Sequence, residues 1–181
     1  MKLYVIRHGE SETNLKNVYS GWMDVALTEK GFEDAKGAQK LLSGIQFDKI
    51  YTSDLMRAKK TAETAIPGCV YEETPLLREI NVGNLAGKPA NIAHIKNLDF
   101  TPYNGENCEM VRARLQRFLD ALNVNEHQNV AVFSHAGCLR EILNLLLETT
   151  IPGKSLICQN CTVAIFDHNG ERWRLHSWIN P

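Results

Sequence analysis

Short apolar runs alternate along the chain with segments in which apolar residues recur at helical spacing. The short runs are rich in β-branched residues and predict buried strands. They comprise residues 2–7, 48–52, 70–71, 129–134, 162–167 and 172–178. The last two runs flank Asn169-Gly170, and an Asn-Gly pair between two such runs predicts a β-hairpin.

Apolar residues spaced three and four positions apart predict four helices. The helices comprise residues 29–43, 55–65, 106–122 and 137–147. Thr28 is a suitable N-cap for the first helix, and Ser53 or Asp54 for the second. The side-chain oxygens of such residues accept hydrogen bonds from the free N–H groups of a helix start.

The order of these elements predicts an α/β fold. Strands and helices alternate before the closing C-terminal β-hairpin, which favours a mostly parallel central sheet with helices on both faces, in three α/β/α layers. Residues 9–27 are predicted to form a long loop, and residues 74–105 loops around one short helix near residues 90–97. Residues 81–104 are expected to form a short lid insertion. Without repeats or linkers, residues 1–181 are interpreted as a single domain.

Composition excludes several classes of partner. The net charge of −1 supplies no overall positive field for a nucleic acid. No apolar stretch approaches the ~20 residues of a membrane helix. Arg7 and His8 interrupt the first apolar run, so no secretory signal is expected and the cytoplasm is the expected location. Composition leaves the oligomeric state open.

The five cysteines do not indicate a disulfide framework, because their number is odd and no secretory signal is expected. Cys158 and Cys161 form a single C-x-x-C motif. This motif is compatible with half of a zinc site or with a redox pair. A loop leading into a strand is favoured, since zinc needs four ligands and a redox pair usually opens a helix.

Charged and imidazole side chains follow several of the predicted strands. Arg7 and His8 end the first strand, and His135 follows the strand at residues 129–134. Arg57 falls in the first turns of the helix after the second strand, and Glu79 lies in a loop. Ligands bind at the carboxyl ends of parallel strands in open α/β sheets. Two histidines with arginines nearby therefore indicate chemistry on a phosphate.

Taken together, these segments resemble the histidine phosphatase superfamily, which includes cofactor-dependent phosphoglycerate mutases. The resemblance covers essentially the whole chain. The motifs that carry it are Arg7-His8-Gly9-Glu10 with Asn14, Ser20-Gly21-Trp22, Leu27-Thr28-Glu29-Lys30-Gly31, Ser53-Asp54-Leu55 with Arg57-Ala58 and Thr61-Ala62, Leu77-Arg78-Glu79-Ile80 with Gly83, and Ser134-His135 with Gly137.

The resemblance implies five catalytic residues. His8 is expected to be the nucleophile and to carry the phosphoryl group as phosphohistidine. Arg7 and Arg57 are expected to clamp the non-bridging oxygens with bidentate hydrogen bonds. His135 is expected to donate to the charge that develops on the phosphoryl group. Glu79 is expected to be the general acid and then the base that activates water. The resemblance implies no metal and no cofactor.

Further residues are implied in phosphate binding. They are Asn14, Ser20, Gly21 and the helix start at Ala136 and Gly137. The chain departs from the family at two positions, with Ala86 in place of a common glutamate and Ala136 in place of a common glycine.

Substrate specificity is expected to depend on one loop and on the lid. The residues concerned are Ser20, Trp22, Met23, Lys88, His94 and Lys96, although the lid charges are equally compatible with a solvated surface. The other histidines, His94, His127, His168 and His176, match no catalytic motif and are interpreted as surface or structural residues.

The expected reaction is hydrolysis of a small phosphorylated metabolite with inorganic phosphate as product, as in α-ribazole phosphatases. Mutases of this family typically carry a long insertion after the glutamate segment and a C-terminal tail. Here only about 25 residues separate Glu79 from Gly105, and the chain ends at Pro181, so little material is available to exclude water. The alternatives are mutase-type phosphoryl transfer and a non-catalytic protein that binds a phosphorylated ligand.

Overall fold

A computed structural model describes residues 1–91, 98–152 and 155–181, and its core is a six-stranded sheet. The strands are β1 (Lys2–Arg7), β2 (Lys49–Ser53), β3 (Glu72–Thr74), β4 (Asn129–Ser134), β5 (Val163–His168) and β6 (Trp173–Ile179). Their order across the sheet is β3-β2-β4-β1-β5-β6. The pairings from β3 to β1 are parallel, whereas β5 and β6 add antiparallel. The predicted α/β class with a mostly parallel sheet is therefore confirmed.

Helices cover both faces of the sheet. They are α1 (Glu12–Leu15), α2 (Glu29–Leu42), α3 (Met56–Ala65), α4 (Cys108–Asp120) and α5 (Ala136–Leu146). Successive side chains of β1 point to opposite faces. Leu3 and Val5 pack in the core beneath α4 and α5, whereas Tyr4 and Ile6 pack in the core beneath α2 and α3. None of the described helices is long and apolar enough to cross a membrane.

The C-terminal hairpin forms where the Asn-Gly pair predicts it. Strands β5 and β6 pair from His168↔Trp173 to Val163↔Ile179. Gly170 lies between them with a φ of +99°. Residues that carry a Cβ atom rarely adopt this φ, so glycine suits the turn.

Some local predictions are wrong. Residues 9–27 contain the short helix α1 rather than loop alone, because Ser11 caps it and Asn14 completes a capping box. The third strand, β3, begins at Glu72 and not at residue 70, because it pairs with β2 through Tyr51↔Glu72 and Val70 is exposed. Edge strands are stabilised by backbone pairing, which the apolar pattern does not report.

The predicted cap of α3 is also wrong. Neither Ser53 nor Asp54 caps it; the Met56 N–H donates instead to Asp24 Oδ1 at 2.6 Å. Asp54 pairs with Arg78 at 2.6 Å.

Among the described residues between 74 and 105 there are three short 3₁₀ helices, Pro75–Leu77, Gly83–Leu85 and Thr101–Tyr103. Most of the helix expected near residues 90–97 falls outside the described residues, as do His94 and Lys96. The lid boundaries and the single-domain interpretation stay predictions.

The parallel register assembles the site at one edge of the sheet. Arg7 is paired with Ser134, so the residues that follow, His8 and His135, leave neighbouring strands at the same level. Strand β2 is paired with β4 through Thr52↔Phe133, which brings Ser53 to the same edge. The chain also changes direction across the sheet at this point. From β1 it continues to β2 on one side, whereas β5 pairs with β1 on the other side. Ligands bind at such switch points of open α/β sheets.

Candidate active site

His8 is a buried imidazole whose orientation is fixed by the backbone. Its side chain is 4% exposed, and its Nδ1 lies 2.7 Å from the Gly9 carbonyl oxygen. A carbonyl only accepts, so Nδ1 carries the hydrogen and Nε2 carries the free lone pair. Burial, followed by the charges of Arg57 and Arg7, lowers the pKa of His8 well below its ordinary value of 6.5. At neutral pH the imidazole is therefore uncharged, with a free lone pair on Nε2.

His135 is held through the opposite ring nitrogen. Its Nε2 lies 2.9 Å from Ser53 Oγ, which also accepts the Leu55 N–H at 3.3 Å. The Ser53 hydroxyl can accept a second hydrogen bond or donate its own hydrogen, and we infer that it donates to Nε2, which leaves the ring hydrogen on Nδ1. Burial, followed by Arg57 and His8, lowers the pKa of His135 well below 6.5. The ring centroids of the two histidines are 5.1 Å apart.

Two arginines flank these histidines. Arg57 is completely buried and donates to the carbonyl oxygens of Gly21 (2.9 Å) and Met23 (2.8 Å). Burial lowers its pKa to about 10, so it remains charged at pH 7. Arg7 donates to the Cys158 carbonyl oxygen at 2.6 Å. Backbone carbonyls, rather than carboxylates, orient both guanidinium groups, and their positive charge is not neutralised by these contacts.

Buried nitrogens of these residues lack a partner. Arg7 Nε, Arg57 Nε and His135 Nδ1 are inaccessible to solvent and make no hydrogen bond within the described chain. Buried polar groups are nearly always paired, and each exception requires an explanation. These three unpaired nitrogens belong to residues around one neutral imidazole, and N–H groups there can donate hydrogen bonds to the oxygens of an anion.

Glu79 lies in the loop after the 3₁₀ helix Pro75–Leu77 and packs against the start of α5. Its carboxylate accepts the N–H groups of Ile80 at 2.9 Å and Gly137 at 3.3 Å. A Cβ at Gly137 would lie 2.4 Å from Glu79 Oε1, so only glycine permits this approach. The negative charge of Glu79 raises the pKa of Arg7 and Arg57 against the larger effect of burial. The predicted acid is thus near both arginines.

The residues predicted to bind phosphate differ in what they contact. The Asn14 side-chain oxygen accepts hydrogen bonds from Ser11 and from Asn160 Nδ2. Its amide nitrogen donates to no other described residue. Ser20 Oγ hydrogen-bonds Thr13 Oγ1. Gly21 acts through its carbonyl, which holds Arg57.

The helix start at Ala136 is already partly used. The Gly137 N–H, expected to face phosphate, donates to the Glu79 carboxylate. Ala136 is the first residue of α5 and is half-buried.

Three residues that support the site were not predicted from the sequence to belong to it. Ser53 holds His135, although the sequence suggested only a helix cap. Thr61 Oγ1 accepts the Gly9 N–H at 3.0 Å and donates to the Arg57 carbonyl at 2.7 Å, which ties β1 to α3. Asn160 Nδ2 donates to the His8 carbonyl at 3.1 Å. Asn160 lies between the two cysteines of the C-x-x-C motif, and no local pattern marks it as a site residue.

The other singled-out residues lie around this site or away from it. Trp22 donates to the Glu79 carbonyl at 2.7 Å and stacks on Arg78, whose guanidinium carbon lies 4.9 Å from the ring centroid. Met23 and Lys88 are exposed. Cys158 and Cys161 are buried free thiols before β5. His176 is exposed, and His127 and His168 are half-buried.

The geometry agrees with the comparisons to known proteins. Residues 3–181 match the sequence profile of the histidine phosphatase superfamily (branch 1), and the chain belongs to this superfamily, whose members are phosphatases or mutases. It is 33% identical to an adenosylcobalamin/alpha-ribazole phosphatase of Salmonella typhimurium, covering 91% of this chain and 90% of that one. It is 34% identical to a 2,3-bisphosphoglycerate-dependent phosphoglycerate mutase of Bartonella henselae, covering 80% of each.

A solved structure has the same fold. It is a putative alpha-ribazole-5'-P phosphatase from Escherichia coli, which superposes with a TM-score of 0.87 at 25% identity. The superposition covers 99% of this chain and 96% of that chain. The resemblance inferred from the motifs is therefore confirmed.

Proposed function

We propose that this protein hydrolyses a small phosphomonoester, without a metal ion, through a phosphohistidine intermediate on His8. The observation that carries the proposal is the set of buried, unpaired N–H donors of Arg7, Arg57 and His135 beside a neutral imidazole. Two guanidinium charges can offset the charge of a phosphoryl group where other phosphatases use metal ions.

In the first step, His8 Nε2 attacks phosphorus. An N–P bond forms as the bond from phosphorus to the ester oxygen breaks. The Glu79 carboxylate first takes up the proton that the phosphomonoester monoanion carries, and then gives it to the departing oxygen. The Gly9 carbonyl accepts the Nδ1–H and stabilises the positive charge that develops on the ring. Arg7, Arg57 and His135 bind the three non-bridging oxygens through donors that are unpaired in the free protein.

In the second step, water attacks the phosphohistidine. Glu79, now a carboxylate, takes a proton from the water as the P–N bond breaks, and inorganic phosphate leaves. His8 returns to its neutral form. Each of the two steps has a lower barrier than direct hydrolysis, because a nucleophile and an acid–base group are already oriented.

Hydrolysis is favoured over mutase transfer by the segment that follows Glu79. Asn81 and Glu106 close the base of this segment, since the Glu106 N–H donates to the Asn81 carbonyl at 2.8 Å. The insertion between them is short, so it offers little cover to keep water from a phosphohistidine. The similarity to alpha-ribazole phosphatases in both sequence and structure supports a phosphorylated ribose derivative as a first substrate to test.

Phosphate release from a panel of esters, with a chelator present, tests the proposal. The panel contains α-ribazole phosphate, sugar phosphates and 3-phosphoglycerate, with mutase product measured in parallel. We expect release by the wild type and by His176→Ala, whose imidazole is exposed, and none by His8→Ala. Isomerised phosphoglycerate without phosphate release would establish the mutase alternative. Activity that survives in His8→Ala would reject the mechanism.

A further inference from the structure

Arg114 is a largely buried arginine that lies outside the predicted catalytic set and reaches the loop carrying Glu79. It projects from α4, and its Nη1 donates to the Leu76 carbonyl oxygen at 2.7 Å. Its Nη2 donates to the Glu79 carbonyl oxygen at 3.1 Å. One guanidinium group therefore spans the loop from its beginning to the residue proposed as the acid.

Glu106 fixes this guanidinium in place. Arg114 Nε lies 2.9 Å from Glu106 Oε1, and Nη2 lies 3.1 Å from Oε2. The same Oε2 accepts the Asn81 N–H at 2.8 Å, two residues beyond Glu79. The side chains of Arg114 and Glu106 are 11% and 9% exposed, so the pair is shielded from water and salt.

We propose that Arg114, oriented by Glu106, is a positioning residue that holds the Glu79 carboxyl at the leaving oxygen of the substrate. This inference rests on the proposed function, in which Glu79 is the general acid. The pair anchors the chain before, at and after Glu79, which restricts where its carboxyl can lie. A general acid must stand within hydrogen-bond distance of the atom it protonates, and a displacement of about 1 Å can cost ~10²-fold in rate.

Lysine cannot reproduce this arrangement. Its single ammonium nitrogen is a point donor, whereas the Arg114 fork contacts Leu76, Glu79 and both oxygens of Glu106. Arg114→Lys keeps the charge, so the buried carboxylate is not left without a counter-ion. The variant therefore tests geometry rather than charge.

Helix α4 also supplies a matched control. Arg112 lies two residues earlier and pairs with the largely buried Glu141 through Nε and Oε2 at 2.5 Å. Within the described chain, it makes no hydrogen bond to the Glu79 loop. Arg112→Lys thus disturbs a comparable ion pair on the same helix without touching the proposed acid.

The leaving group distinguishes positioning of an acid from general loss of structure. An alkyl phosphate needs protonation of its leaving oxygen, whereas 2,4-dinitrophenyl phosphate expels a stable anion without it. We expect Arg114→Lys to lower kcat/KM for the alkyl ester ~30–100-fold and for the dinitrophenyl ester less than ~3-fold. Glu79→Gln should show the same selectivity, and Arg112→Lys should leave both values unchanged.

Equal losses on both esters, or a variant indistinguishable from Arg112→Lys, would overturn the inference. Should Arg114→Lys fail to fold, as judged by its melting temperature, Glu106→Gln supplies the second test. It retains a side chain that can accept from Arg114 and should show the same selectivity with a smaller loss. A wild type without His8-dependent hydrolysis, or equal losses in Glu79→Gln, would instead reject the proposed function.

Discussion

The two histidines of the candidate site occupy equivalent positions at the ends of paired strands, but each is held through a different ring nitrogen. Each follows a central parallel strand, His8 after β1 and His135 after β4, and the two strands are paired in register. His8 is held through Nδ1 by the Gly9 carbonyl, which frees Nε2 as a lone pair. His135 is held through Nε2 by Ser53, and the tautomer that we infer leaves its unpaired Nδ1 as a donor. The hydrogen bond at one nitrogen sets the role of the other.

This difference has an electrostatic consequence. Both imidazoles are kept neutral, first by burial and then by neighbouring positive charge, including that of Arg57. A neutral imidazole can either attack through its lone pair or donate through its N–H. In the proposed mechanism, the two hydrogen-bond partners therefore decide which of two otherwise similar histidines is the nucleophile and which is the donor.

Removing each histidine separately gives the largest expected effect. His8→Ala should abolish the covalent intermediate and lower kcat/KM by at least ~10³-fold. His135→Ala removes one donor to the developing charge and should cost ~10²-fold while the intermediate still forms. Acid-quench trapping of the labelled phosphoenzyme measures the difference. Label retained in His8→Ala, or lost only in His135→Ala, would reverse the assignment.

A smaller effect is expected from the partner of His135. Ser53→Ala removes the hydroxyl that restrains Nε2, so the ring is free to take the other tautomer. Loss of one such hydrogen bond should lower kcat/KM about 10-fold. Nitrogen chemical shifts of labelled histidine should report a mixture of tautomers at His135 and an unchanged tautomer at His8. An unchanged His135 tautomer in Ser53→Ala would exclude this role for the hydroxyl.

The sequence predicts that the two histidines lie in the site, but it does not predict the difference between their hydrogen-bond partners. Both follow apolar strands, and periodicity is enough to bring strand ends to one edge. Ser53, however, belongs to a third strand, and its contact with His135 spans 82 residues. The same holds for Asp24, which caps α3 from 32 residues upstream. Local propensity identifies elements and cap types, whereas partners at such separations depend on tertiary packing.

Contacts within a few residues are more accessible to sequence reasoning. Thr28 caps α2 as expected, with its side chain accepting the Gly31 N–H. Asn14, whose expected role in phosphate binding stays a prediction, has its side-chain oxygen in a capping box with Ser11 and accepts a hydrogen bond from Asn160. The capping box is a local motif, whereas the hydrogen bond from Asn160 joins segments 146 residues apart.

The smallest expected effect concerns stability rather than rate. An unfolded histidine takes up a proton as the pH falls through ~6.5, whereas native His8 resists it because its pKa is lowered. The unfolded state then binds more protons, so stability should be lost as the pH falls from 6 to 5. For one such group the slope approaches about 1.4 kcal/mol per pH unit.

Replacing His8 tests this linkage without reference to activity. His8→Gln should reduce the slope of the unfolding free energy between pH 6 and pH 5 by that amount, measured by urea denaturation. His176→Gln is the control, because it removes an exposed imidazole outside the candidate site and should leave the slope unchanged. If His8→Gln kept the wild-type slope, native His8 would be taking up the proton. It would then be charged at mildly acidic pH and unable to act there as the nucleophile, while His135, its neighbour at 5.1 Å, would carry the remaining acid sensitivity of the site.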